Sequence, residues 1–135
     1  MTTRADAPPR ALVALNHDLM FGIHIGKVAR ALGFAPSFAR TTEAFCAAIR
    51  AADPPAALGV IDMNADINWP LVAALAAEDG PTPLLGFGPH LDVDGRRAAK
   101  AAGLTRIVAN SEFHRDMEGL IRRYARPSPV SDTEE

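Results

Sequence analysis

The sequence predicts an α/β fold in which helices cover both faces of a parallel β-sheet. Short apolar runs alternate with stretches whose apolar residues recur at spacings of three and four, which gives five successive strand–helix units. The runs are continuously apolar rather than apolar at alternate positions, as in "LGVI" at 58–61, which is followed by Asp62, and such strands are typical of parallel sheets buried on both faces. Right-handed crossovers then place helices on both sides of the sheet.

The predicted strands begin at residue 11. Five are expected, at 11–15, 34–39, 57–63, 83–88 and 104–109. Pro36 lies within the second strand. Because proline cannot donate a backbone hydrogen bond, this strand is expected at an edge of the sheet.

Each predicted strand is followed by a predicted helix. Five helices are expected, at about 18–32, 41–52, 68–80, 92–103 and 111–125. Gly33 and Gly103 are typical residues at which helices end. Threonine is expected to cap the second helix, and Ser111 the fifth.

Length and composition restrict the classes of function. The chain has 135 residues, 48% of them hydrophobic and 22% charged, which fits one globular domain. We expect that domain at 11–124, with disordered tails at 1–10 and 125–135. A net charge of −2 lacks the basic excess typical of nucleic-acid binding, and no apolar run approaches the ~20 residues of a membrane helix. Cys46 is the only cysteine, so a cytoplasmic location is expected.

Polar residues follow the predicted strands where each one ends. They are "NHD" at 16–18, Asp62, "GPH" at 88–90 and "NSEF" at 110–113. Because the carboxyl ends of parallel strands share one edge, and ligands of such folds bind there, this edge is the candidate site. Asp62 also has a simpler interpretation, as a carboxylate that caps the backbone of Asn64 or Ala65.

In the order and length of its elements, the stretch 11–124 resembles the receiver domain of response regulators (CheY-like), the phosphoacceptor module of bacterial two-component signalling. The resemblance implies a flavodoxin-like sheet of order 2-1-3-4-5, with the first and fifth helices on one face. It places Asp62 at the phosphoacceptor position. "PLLGFGPH" matches the fourth-strand segment and "AAGLTRIVANSEF" the fifth-strand segment.

The sequence departs from the receiver pattern at the other reactive positions. Asn16 and His17 stand where the family has an acid pair, with Asp18 one residue later, and Gly88 and Asn110 replace the expected hydroxyl residue and lysine. Phosphoryl transfer to a carboxylate depends on Mg²⁺, which prefers carboxylate and water ligands. The departures therefore predict a degenerate receiver, or pseudo-receiver.

Two functions are compatible with these residues. The first is a stand-alone signalling module that is not an enzyme, needs no cofactor and acts by docking a protein. The second is a working single-domain response regulator, phosphorylated on Asp62, which passes or stores phosphate in a phosphorelay. No metal is expected, although His17, Asp62 and His90 form an alternative set of ligands for a transition metal.

The resemblance also implies an output surface on the fourth helix, fifth strand and fifth helix. This stretch combines basic with apolar residues, as protein contacts do. The candidate residues are Arg96, Arg97, Arg106, Phe113, Met117 and Tyr124. The partner is a signalling protein or a second copy of the chain, and neither nucleic acid nor membrane is expected. The alternative is a solvated basic surface whose apolar residues all face the sheet.

Overall fold

The computed structural model describes residues 8–127, in which strands and helices alternate as the sequence predicts. The strands are β1 (Ala11–Leu15), β2 (Ala35–Ala39), β3 (Leu58–Asp62), β4 (Leu84–Gly88) and β5 (Arg106–Ala109). The helices are α1 (Leu19–Ala31), α2 (Thr42–Ala51), α3 (Trp69–Ala76), α4 (Val93–Ala102), α5 (Asn110–Arg115) and α6 (Met117–Tyr124).

The strands form one parallel sheet of order β2-β1-β3-β4-β5, as predicted. All residues of β3 and β4 are buried, which explains why these two runs are apolar apart from Asp62 at the end of β3. Strand β2 is an edge strand. The backbone N–H of Ala35 donates to the carbonyl of Arg10, 2.9 Å away, on the β1 side. Because successive residues of a strand alternate in direction, the missing N–H of Pro36 falls on the free edge, where proline is tolerated.

The sheet separates two apolar cores. One core lies under α2, α3 and α4 and includes Phe45, Ile61 and Val72. The other lies under α1, α5 and α6 and includes Phe87 and Phe113, whose rings stack with centroids 4.1 Å apart. The prediction that the first and fifth helices share one face is therefore confirmed.

Several predicted helix ends are confirmed by the backbone. Gly33 and Gly103 follow α1 and α4 with φ of 89° and 100°, a left-handed conformation that glycine adopts without strain. The hydroxyl of Thr41 accepts a hydrogen bond from the N–H of Ala44 at 3.1 Å and so caps α2.

The predicted fifth helix is not one helix. It begins at Asn110 rather than after Ser111, and it breaks at Asp116, where φ is −131° and ψ is 39°. Ser111 therefore lies within the first turn of α5, and the predicted serine cap is wrong. Helix α5 begins early because the side chain of Asn110 is held at the end of β5 by hydrogen bonds with the side chain of Asn64.

The folded body extends slightly beyond the predicted limits of 11 and 124. The N–H of Arg126 donates to the carbonyl of Ala57 at 2.8 Å, and the guanidinium of Arg10 donates to the carbonyl of Arg126 at 2.6 Å. The remaining parts of the predicted tails, 1–7 and 128–135, lie outside the described residues. Among the helices of residues 8–127, none has the length and apolar character that crossing a membrane requires.

Candidate functional site

The register of the sheet brings the predicted site residues to one edge. Leu15 pairs with Ile61, so Asn16 follows β1 at the level at which Asp62 ends β3. Gly88 pairs with Ala109, so Asn110 leaves β5 directly beside the end of β4. These positions therefore converge at the carboxyl ends of the strands.

Asp62 is a buried carboxylate, 1% exposed, that is hydrogen-bonded by amides. Its Oδ1 accepts from the backbone N–H of Asn64 at 2.9 Å and from the Nδ2 of the same residue at 2.7 Å. Its Oδ2 accepts a longer bond, 3.4 Å, from the backbone N–H of His17. The sequence-based interpretation of Asp62 as a cap for the Asn64 backbone is confirmed.

A pair of asparagine side chains covers Asp62. Asn64 Nδ2 donates to Asn110 Oδ1 at 3.0 Å, and Asn110 Nδ2 donates to Asn64 Oδ1 at 2.8 Å. This reciprocal pair joins the loop after β3 to the start of α5, and Asn110 meets a neutral amide where a lysine would place a charge beside Asp62. Sequence reasoning missed the side chain of Asn64. The available signal was its spacing of two residues from Asp62, which is typical of an Asx turn.

The polar residues after β1 serve the start of α1. Asp18 caps this helix, because its Oδ1 accepts from the N–H groups of Met20 at 2.8 Å and Phe21 at 3.2 Å. Asn16 Nδ2 donates to the carbonyl of Asp18 at 2.9 Å, and Asn16 Oδ1 is buried without a partner among the described residues. The side chain of His17 is exposed.

A transition-metal site finds no support in the described part of the chain. Within residues 8–127, no three His, Cys, Asp or Glu side chains are grouped so that they could hold a metal ion. His17 contacts Asp62 through its backbone rather than its ring. The alternative set of His17, Asp62 and His90 is therefore not assembled in these residues.

Gly88 is closely covered by the residue that follows Asp62. A Cβ atom added to Gly88 would lie 3.0 Å from the Cβ of Met63, closer than side chains normally approach. The N–H of Met63 donates to the carbonyl of Phe87 at 2.8 Å, which holds the two segments together. Any side chain at this position, including one that carries a hydroxyl, would need Met63 to shift by a few tenths of an ångström.

Two further groups lie near the site. Trp69 is half-buried and, with Asn64 and Asp92, lines a cavity of about 440 Å³, so its fluorescence can report on the loop after β3. Cys46 lies on the buried side of α2 and is 3% exposed, and burial raises the pKa of its thiol, which stays neutral as expected of a core residue.

Comparison with known proteins identifies the fold. No protein-family model and no curated protein matches the sequence. Solved structures do match. Chemotaxis protein CheY4 of Vibrio cholerae has a TM-score of 0.70 at 14% identity, over 86% of this chain and 98% of that chain. The CheY-like protein tadZ of Pseudomonas aeruginosa has a TM-score of 0.65 at 21% identity, over 84% and 98%.

A third structure also matches, that of a response regulator from Burkholderia pseudomallei with a phosphorylated aspartic acid, calcium ion and citrate. Its TM-score is 0.69 at 13% identity, over 93% of this chain and 71% of that chain. The chain has the CheY-like receiver fold. The receiver fold and its strand order are thus confirmed.

In this receiver fold the predicted output surface keeps its charge but loses two of its apolar residues. Phe113 is 0% and Met117 2% exposed, because both pack into the core under α1, so their assignment to a partner surface is wrong. Tyr124 is half-buried beside the guanidinium of Arg123.

A groove remains on the α4–β5 side of the receiver fold. It has a volume of about 590 Å³ and is lined by Val93, Arg96, Arg97, Lys100, Leu104, Thr105, Arg106 and Ile107. Arg97 and Arg106 are exposed, Arg96 is half-buried, and the side chain of Val93 is 61% exposed. We call this surface the α4–β5 groove.

Proposed function

We propose that the protein is a cytoplasmic, non-enzymatic signalling module of the receiver family that acts by docking a partner protein, with little or no Mg²⁺-dependent phosphorylation of Asp62. The observation that carries the proposal is the hydrogen bonding of Asp62. Both of its oxygens accept from amide groups of the chain, and its side-chain donor, Asn64, is paired with Asn110.

The electrostatics of the site are unfavourable for phosphoryl transfer. Charge that develops on phosphoryl oxygens has to be offset by a metal ion or a cationic side chain. Mg²⁺ prefers several oxygen ligands in octahedral geometry, whereas Asn16 and His17 supply no carboxylate and Asp18 is hydrogen-bonded to α1. Neutral Asn110 cannot replace the missing cation.

Phosphorylation of Asp62 would also break hydrogen bonds that its carboxylate accepts. A phosphoryl group on Oδ1 would displace the two bonds from Asn64 and separate Asn64 from Asn110. A hydroxyl at position 88 that could then contact the phosphoryl group is absent, and a Cβ atom there would lie only 3.0 Å from the Cβ of Met63.

The α4–β5 groove supports the docking part of the proposal. Its lining carries the four cations Arg96, Arg97, Lys100 and Arg106 on a chain whose net charge is −2, so the positive charge is local. A partner, or a second copy of the chain, would present acidic residues around a small apolar contact to Val93.

Treatment with a phosphodonor tests the proposal. The protein is incubated with acetyl phosphate and Mg²⁺, or with beryllofluoride and Mg²⁺, and intact mass and Trp69 fluorescence are recorded. We expect neither a mass gain nor a fluorescence change, in wild type or in Asp62→Asn. Stoichiometric gain of one phosphoryl group by wild type, lost in Asp62→Asn, would establish the second candidate, a working phosphoacceptor. The position of Asp62 at the end of β3 favours that candidate.

Charge reversal tests the docking surface. Once a partner has been identified by crosslinking in the native host, Arg97→Glu combined with Arg106→Glu should slow association, and more strongly at low salt. Arg50→Glu, which changes an exposed arginine on α2 that pairs with Glu78 at 2.6 Å, is the matched control and should leave association unchanged. Equal effects of both changes would show that the α4–β5 groove is not the contact.

A further inference from the structure

A second groove lies at the opposite edge of the sheet, between α1 and β2. It has a volume of about 590 Å³, and we call it the α1–β2 groove. Its lining includes the apolar residues Leu19, Ile23 and Phe38 and the basic residues Lys27, Arg30 and Arg40. Since the strand order places β2 and β5 at opposite edges, this surface is separate from the α4–β5 groove.

The apolar side chains of the groove are unusually exposed. Leu19 is 74%, Ile23 48% and Phe38 46% exposed. Leu19 and Ile23 are one helical turn apart on α1, so they lie on the same side of that helix, and Phe38 faces them from the edge strand. Apolar side chains grouped in this way mark a contact surface more often than a free one.

Two glycines of α1 lie beside the groove. A Cβ atom on Gly26 would lie 3.5 Å from the ring of Phe38, and one on Gly22 would lie 2.6 Å from Nδ2 of Asn16. Glycine within a helix costs about 1 kcal/mol relative to alanine. Helix α1 therefore has two destabilising glycines beside the groove, and a methyl group at Gly26 would contact the Phe38 ring.

The charge of the groove is of one sign. The side chains of Lys27, Arg30 and Arg40 are exposed, and within residues 8–127 none of them forms an ion pair. No aspartate or glutamate of the described residues lines the groove. An occupant that offsets this charge has to be acidic.

We propose that the α1–β2 groove binds an acidic amphipathic helix of a partner protein. Apolar residues on one side of that helix would contact Leu19, Ile23 and Phe38, and acidic residues on its flanks would contact the three cations. A helix fits better than an added strand, because Pro36 removes a backbone donor from the free edge of β2.

Selection from a random peptide library tests this proposal. Peptides displayed on phage are selected on the whole protein, and the enriched sequences are synthesised and measured by fluorescence anisotropy. We expect an enriched pool that is acidic, with large apolar residues at helical spacings of three and four. Phe38→Ser should weaken the peptides about tenfold or more, and Arg30→Glu with Arg40→Glu should weaken them by a factor that shrinks as salt rises.

Two further variants distinguish specific binding in the α1–β2 groove from nonspecific binding to exposed apolar side chains. Leu91→Ser changes a side chain that is 83% exposed outside the groove and should leave affinity unchanged. Gly26→Ala should weaken binding while raising helix stability, since its Cβ meets only the ring edge of Phe38 and the flexible tip of Arg30.

Three outcomes would overturn the proposal. They are a selection without acidic enrichment, peptides that keep their affinity for both the Phe38 and the arginine variants, and binding to vesicles of anionic phospholipid that exceeds peptide binding and depends on Phe38. The last would assign the groove to a membrane surface. None of these outcomes bears on Asp62 or on the α4–β5 groove, so the proposed function is tested separately.

Discussion

At the scale of single residues, Asp62 is held by neutral donors rather than by charges. Reactive sites that gather several carboxylates are strained by repulsion, and neutralising one of them is often stabilising. Asp62 is different, because its bonds to Asn64 and His17 satisfy a buried carboxylate. Its contribution to stability therefore distinguishes a structural from a reactive role.

Replacement of Asp62 by asparagine should lower the free energy of unfolding by about 1–3 kcal/mol, because one amide N–H would then face the backbone N–H of His17 or Asn64. Urea denaturation measures the change. Asp66→Asn, which alters an exposed acid in the same loop, is the control and should stay within about 0.5 kcal/mol of wild type. A stabilised Asp62→Asn variant would instead indicate a strained, reactive carboxylate.

Gly88→Ala should destabilise the protein by about 1–3 kcal/mol, because the added Cβ would lie 3.0 Å from the Cβ of Met63 in a buried segment. Thermal or urea unfolding measures the effect. Gly26→Ala is the matched control, because the atoms near its added Cβ are 3.1 Å or more away and alanine favours the helix more than glycine does. It should raise the free energy of unfolding rather than lower it. If Gly88→Ser is tolerated without loss, the absence of a hydroxyl here is not imposed by packing.

The sequence could predict where Asp62 lies, but not what surrounds it. A carboxylate at the end of a buried strand is placed by the strand itself. The pairing of Asn64 with Asn110 joins residues 46 positions apart and depends on the register of three strands, which no local pattern records. The burial of Phe113 and Met117 could not be predicted in the same way, because the sequence predicts one helix at 111–125 and does not show the break at Asp116.

At the scale of elements, the glycine signals at helix C-termini gave correct predictions, whereas the serine signal at the start of the fifth helix did not. Gly33 and Gly103 end α1 and α4 as expected, since a left-handed residue is needed after each helix. The break at Asp116 has no such signal. It bends the chain between α5 and α6 so that Met117 and Leu120 reach the core.

Asp18→Ala should lower the free energy of unfolding by about 1 kcal/mol, because Asp18 accepts hydrogen bonds from the first N–H groups of α1. Asp18→Ser is the informative control, since serine caps helices but carries no charge. We expect it to retain most of the stability in urea denaturation. If serine is as harmful as alanine, the charge of Asp18 matters in itself, as it would for a ligand of a cation.

At the scale of the whole molecule, one sheet supports two cores. Side chains of β3 and β4 alternate between them, with Ile61 in one and Val60 in the other. Neither core can lose its strands without exposing the other, so the cores should unfold together. Continuous apolar strands predicted a parallel sheet that is buried on both faces, whereas the strand order was implied by the resemblance to receiver domains.

Cooperative unfolding can be checked with two probes. Trp69 packs against the core under α2, α3 and α4, whereas far-ultraviolet circular dichroism reports on helices of both faces. We expect the two probes to give the same urea midpoint. Separate midpoints would mean that one face opens before the other, and the folded body would then contain two units of different stability.

The ends of the folded body meet far from Asp62. Arg10 and Arg126 are hydrogen-bonded to each other, and Arg126 is hydrogen-bonded to Ala57, the residue before β3. Asp62 ends the same strand, about 17 Å away at the usual rise of a strand. A domain or tag fused to either end would thus emerge on the side opposite the site, and a short linker between the ends would permit circular permutation. New termini opened elsewhere on the surface would leave the strand-end residues in place.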